Sequence, residues 1–159
     1  MYNIPMITFS IRPMTPDDLP ACADLMANTP LWRRYGVTAS SARARLANAL
    51  AGEGRLFVAV DDEALLGFVW CVRRGAFARS GYIPLIGVQP GETGRGVGAA
   101  LLAKAEAWLG EDSPDVFLTV SDFNTAAQHF YQRHGYTEVG ALPNYVIDGV
   151  TEFIYWKRQ

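Results

Sequence analysis

Residues 86–102 read Ile86-Gly87-Val88-Gln89-Pro90-Gly91-Glu92-Thr93-Gly94-Arg95-Gly96-Val97-Gly98-Ala99-Ala100-Leu101-Leu102. The apolar run Tyr82–Val88 leads in with the composition of a buried strand, and an apolar helix over Gly96–Leu109 follows. Between them Gly94, Gly96 and Gly98 alternate. Glycines there let backbone N–H groups approach a ligand without Cβ obstruction, and the helix N-terminus adds positive potential, so the turn is expected to bind phosphate. Arg95 adds a charge-assisted contact. If the glycines served only a tight turn, fewer would suffice. A Walker-type loop is excluded, because Val97-Gly98 stand where Lys and Ser/Thr are needed. The loose dinucleotide pattern Gly94-x-Gly96-x-x-Ala99, with Asp122 near the end of the next strand, fits better. Against it, five residues separate the strand end from Gly94, and only one βαβ unit is visible.

Working outward, Ile7–Arg12 alternates as a strand, and Thr15-Pro16-Asp17-Asp18 caps a helix running to about Ala27. Asn28-Thr29-Pro30 breaks that helix; Thr38 or Ser40 caps a second through Ala51, with Ala42, Leu46 and Leu50 on one face. Arg55–Val60 and Ala64–Arg73 read as a hairpin across Asp61-Asp62-Glu63. Beyond the glycine turn come a strand at Val116–Val120, a helix at Asn124–His134 closed by Gly135, and strands at Tyr136–Gly140 and Thr151–Lys157. The expected order is β-α-α-β-β-β-α-β-α-β-β, a mixed α/β single domain over residues 1–159 with an antiparallel meander followed by one βαβ unit.

Composition narrows the function. The 159 residues are 50% hydrophobic and 19% charged, as in globular proteins, and a chain of this length can bury about 70% of its unfolded surface. A net charge of −2 gives no footprint for nucleic acid or an anionic membrane. Cys22 and Cys71, 49 residues apart and without histidines at ligand spacing, argue against a disulfide scaffold and against a metal site. They read as buried small hydrophobes. With neither a secretory signal nor a long apolar span, the chain is expected in the cytoplasm.

The glycine segment resembles the pyrophosphate loop of the GNAT superfamily of N-acetyltransferases, Gln/Arg-x-x-Gly-x-Gly/Ala. The pattern falls on Thr93-Gly94-Arg95-Gly96-Val97-Gly98, with Thr93 departing at the first position. The family's second half is similar to Leu118-Thr119-Val120-Ser121-Asp122-Phe123-Asn124-Thr125-Ala126-Ala127 and Phe130-Tyr131-Gln132-Arg133-His134-Gly135-Tyr136. The resemblance covers essentially the whole chain. It implies a sheet whose parallel strands, Tyr82–Val88 and Val116–Val120, splay to hold acetyl-CoA, with CoA as product. It also implies that the amides of Thr93, Gly94, Arg95, Gly96, Val97, Gly98 and Ala99 meet the pyrophosphate. The backbones of Ile86 and Val88 would pair with pantetheine, one of them polarising the thioester carbonyl. Asn124 would contact the pantetheine arm and Tyr131 would protonate the departing thiolate as general acid. Those two residues are seven apart, hence on one helix face. The plainer alternatives are an Asn helix cap and a core tyrosine.

No carboxylate lies in Tyr82–Val88, so the general base is open among Asp122, Tyr82 through water, and a backbone-held water; a water relay is preferred. Trp32, Arg33, Arg34 and Tyr35, in the loop Thr29–Gly36, are the expected acceptor contacts; the arginines would grip a carboxylate on a small-molecule or peptide amine. A surface turn whose aromatics cap the core is the equal alternative. The expected activity is direct acetyl transfer in a ternary complex; rival classes are a non-catalytic acyl-CoA-binding module and an NAD-type binder. Homodimerisation through the C-terminal strands is open, with Tyr145, Phe153, Tyr155 and Trp156 available.

Overall fold

The computed structural model describes residues 8–159, so Ile7 of the expected first strand lies outside it. Seven strands form one sheet: β1 (Ser10–Pro13), β2 (Arg55–Asp61), β3 (Ala64–Ala76), β4 (Ser80–Val88), β5 (Asp115–Ser121), β6 (Thr137–Pro143) and β7 (Thr151–Arg158). Five helices flank it: α1 (Leu19–Asn28), α2 (Pro30–Arg34), α3 (Ala39–Ala51), α4 (Val97–Gly110) and α5 (Thr125–Arg133). The spatial order is β1-β2-β3-β4-β5-β7-β6. Every neighbouring pair is antiparallel except β4 and β5, the parallel pair joined through α4. No described helix is long and apolar enough to cross a membrane.

The alternation along each strand feeds two cores, one per face. On one face Leu101, Leu102, Ala105 and Leu109 of α4 pack with Val69, Leu118 and Val120. On the other Cys22, Leu25 and Met26 of α1 and Leu46 of α3 pack with Val58 and Phe68. Each leucine, valine, methionine and phenylalanine so buried contributes about 1.5–3 kcal/mol. Both cysteines are free and buried, and burial pushes both thiols up to about 12, so neither is a thiolate nucleophile.

One sequence reading is corrected here. The loop expected over Thr29–Gly36 contains α2, because Pro30 sits at the first helical position after the extended Thr29. The aromatic residues named for a homodimer contact also make contacts within the subunit. Tyr155 is 1% exposed, Phe153 packs against the α4-side core, and Trp156 Nε1 donates to Asp115 at 2.9 Å. Of the four, only Tyr145 is a large exposed hydrophobic.

One irregularity positions the site. Along β3 the register passes from Trp70↔Leu85 to Val72↔Tyr82, two residues on β3 against three on β4, so β4 carries a bulge at Ile83–Pro84. Proline has no N–H for a ladder, and a bulge bends its strand. Beyond it β4 leaves β5: the parallel pair is joined only at Gly81↔Val116 and Tyr82↔Phe117.

Candidate active site

Where β4 and β5 part, a cleft of about 890 Å³ opens through the sheet. Its β4 wall, residues 83–88, has no strand partner on the β5 side, so its backbone N–H and C=O groups are left for an extended ligand. Ile86 and Val88 lie in this wall.

At the end of the wall the chain makes a single 3-10 turn at Pro90–Glu92, and Thr93 Oγ1 donates to Pro90 O at 3.2 Å. Gly94 and Gly96 then take φ +88° and +81°, a left-handed conformation that glycine adopts without strain, and Gly96 caps α4. Thr93, Gly94, Gly96, Val97, Gly98 and Ala99 all line the cleft. Arg95 does not. Its guanidinium is paired with Glu92 and lies 3.5 Å from Asp61, so the charge expected to face a phosphate is held by two carboxylates. The anion-attracting character of the turn therefore comes from backbone amides and the α4 dipole.

Asn124, the N-cap of α5, and Tyr131 within that helix both line the cleft. The Asn124 carboxamide oxygen accepts from Ala127 N at 3.2 Å, so the residue is a helix cap as well as a wall. Tyr131 is 6% exposed, packed edge-on against Phe130 and Tyr136. Burial alone raises its hydroxyl above the ordinary tyrosine range, so it keeps its proton.

Across the sheet the cleft is walled by the α2 region. Trp32 of α2 and Tyr35, its C-cap, are three residues apart and line the cleft; Arg33 and Arg34 do not. Both arginines are exposed, and Arg34 lies 3.7 Å over the ring of Phe123, so the expected carboxylate grip is not assembled. Of the base candidates, Tyr82 lines the cleft, whereas Asp122 Oδ2 accepts from Thr151 N at 3.1 Å and stays out of it.

Among the lining residues that the sequence reading did not assign to the site, Ser121 and Glu152 stand out. Ser121 of β5 and Glu152 of β7 are cross-strand neighbours, and the Tyr35 hydroxyl reaches both, donating to Glu152 Oε1. Burial and the neighbouring carboxylate push that hydroxyl up to about 12. The available signal for Glu152 was a carboxylate alternating with Ile154 and Trp156 on an otherwise apolar strand face.

A sheet with parted parallel strands, an open backbone edge and a glycine turn at the head of the crossover helix defines a protein that holds an extended, phosphate-bearing ligand between two strands. The model of the acetyltransferase (GNAT) family matches residues 21–136, and the chain belongs to that family. Over 103 residues it is 30% identical to N-alpha-acetyltransferase 30 of Schizosaccharomyces pombe, an overlap of 62% of this chain and 68% of that one. It is 35% identical over 113 residues to a mycothiol acetyltransferase of Salinispora tropica, covering 68% of this chain but only 37% of that protein's length. Among solved structures, the PaiA N-acetyltransferase of Thermoplasma acidophilum in complex with coenzyme A superposes with TM-score 0.76 at 17% identity, covering 96% of this chain and 99% of that one. An aminoglycoside 6'-N-acetyltransferase complexed with coenzyme A gives 0.78 at 17% identity, over 94% and 96%. At such identities the likeness is one of fold.

Proposed function

We propose that the chain is an acetyl-CoA-dependent N-acetyltransferase, acting in the cytoplasm as one domain over residues 1–159, that acetylates a primary amine of a small molecule or peptide by direct transfer in a ternary complex. The observation that carries this reading is the unpaired β4 edge over residues 83–88, which ends at the Gly94–Gly96 turn and the start of α4. The cleft also has the volume of a small-molecule site. Acetyl-CoA supplies the activated acetyl thioester. The amides of residues 93–99 hold its pyrophosphate, and the backbones of Ile86 and Val88 pair with its pantetheine, one N–H polarising the carbonyl. Asn124 borders the pantetheine arm. Tyr131, protonated and buried at the cleft wall, delivers its proton to the departing sulfur.

Titration calorimetry with acetyl-CoA, free CoA and NAD, followed by thiol release in the presence of amines, tests the reading. Micromolar binding of acetyl-CoA and CoA, no heat from NAD, and amine-dependent thiol release are expected. NAD binding, or binding of neither, overturns it.

A further inference from the structure

Two carboxylates line the cleft, and they differ. Glu92, at the glycine turn, is paired with Arg95. Glu152 is 5% exposed and, among the described residues, forms no ion pair; the recorded partner of its carboxylate is the neutral Tyr35 hydroxyl. It stands on the sheet face of Ser121 and Ile154, opposite the face where Tyr131 packs with α4 and α5. A carboxylate taken out of water without a cation is costly to the fold, so such a group in a cleft marks a place where a cation is received. The same cleft is lined by the aromatic side chains of Trp32, Tyr35, Tyr82 and Tyr145.

Resting on the acetyl-transfer reading above, we infer that Glu152 receives the acceptor's ammonium and takes its proton, so that the acceptor is a cationic primary amine on an apolar or aromatic body. The proton moves from nitrogen to the Glu152 carboxylate, and the freed electron pair forms the C–N bond as the C–S bond breaks. Tyr131 protonates the sulfur. Nitrogen sheds two protons in all: one replenishes Tyr131 and the other leaves through Glu152 to water. Tyr35, protonated throughout, positions the carboxylate, with Ser121 on the same hydroxyl. The other titratable groups around this end of the cleft are Tyr82, Tyr145, Asp122 and Arg45.

The probe is 2-phenylethylamine, with 2-phenylethanol as its uncharged isostere. Binding of both to the CoA-loaded protein is measured for wild type, Glu152→Gln and Glu152→Asp. The ammonium is expected to bind at least about tenfold more tightly than the alcohol in wild type and Glu152→Asp, and equally in Glu152→Gln. With acetyl-CoA, Glu152→Gln should lower kcat/KM by about 10²–10³ at pH 7. That loss should shrink as pH nears the amine's own pKa, where free amine needs no base; a merely structural defect would not shrink. Equal binding of the two probes in wild type, no binding of the ammonium, a preference surviving in Glu152→Gln, or a pH-independent loss overturns the inference. Should Glu152→Gln not fold, the wild-type preference and the Glu152→Asp pH profile still decide. CoA affinity of each variant is measured first, so a protein that never binds CoA counts against the acetyl-transfer reading instead.

Discussion

Trp32 packs against Gly87, a residue of β4 that has no side chain: a Cβ there would come 2.5 Å from Trp32 Cη2. The indole also stacks on Phe68, with ring centroids 6.1 Å apart. Gly87→Ala must therefore move Trp32 or the strand. A destabilisation of about 1–3 kcal/mol is expected, read as a lower denaturant midpoint at unchanged slope. An alanine variant as stable as wild type would mean that the indole has room to shift.

Gly94 and Gly96 hold a conformation that costs a residue with Cβ about 1–2 kcal/mol, and nothing stands near where either Cβ would be. Alanine at either position should thus strain the turn without a clash. Calorimetry should show acetyl-CoA affinity falling about tenfold while the core, probed by thermal melting, changes little.

Tyr131→Phe removes the proposed proton donor and keeps the ring that packs between Phe130 and Tyr136. A fall in kcat of about 10² with unchanged acetyl-CoA affinity is expected in steady-state and binding assays. Unchanged kcat would remove the acid role.

Arg33→Ala and Arg34→Ala should leave the acceptor KM within about twofold, since neither side chain reaches the cleft. Arg34→Ala should cost about 0.5–1 kcal/mol of stability through the lost stacking on Phe123. A KM that rises sharply for either variant would restore the carboxylate-gripping role.

Cys22 and Cys71 bind their protons more tightly in the fold than in the unfolded chain, their values rising from 9.0 to about 12. Their contribution to stability is therefore whole below about pH 9 and is lost as pH climbs through about 12. The buried Tyr131 and Tyr136, both raised, act in the same direction. Denaturant midpoints at pH 8, 9.5 and 11 should fall in that order, and a thiol reagent at pH 8 should label both cysteines only after unfolding.

Much of this architecture is legible in the chain because its signals are local. The Asp61-Asp62-Glu63 turn, the Thr38 cap and Gly135 each mark a boundary that the structure keeps, with Thr38 accepting from Ser41 N and Gly135 at φ +89°. The glycine turn is equally local. The α2 helix was missed because it has only five residues, too few for apolar periodicity to show. Pro84, inside an apolar run, was the unread sign of the bulge that parts β4 from β5. The Tyr35–Ser121–Glu152 contact was beyond sequence reading altogether. Its members are 86 and 117 residues from Tyr35, and only the β5/β7 register brings two of them together.

The parted strands also divide labour along the chain. One side of the opening is built by consecutive elements, β4, α4, β5 and α5, within residues 80–133. The other is assembled from distant pieces, the α2 region near one end and Tyr145, Val146 and Glu152 near the other. Changes in those flanking segments can therefore retune which amine is accepted while the donor half is inherited intact. On the proposed function, a chimera that exchanges residues 29–34, 36–38 and 144–151 with a relative, Tyr35 and Glu152 kept, would swap acceptors and keep its hold on acetyl-CoA.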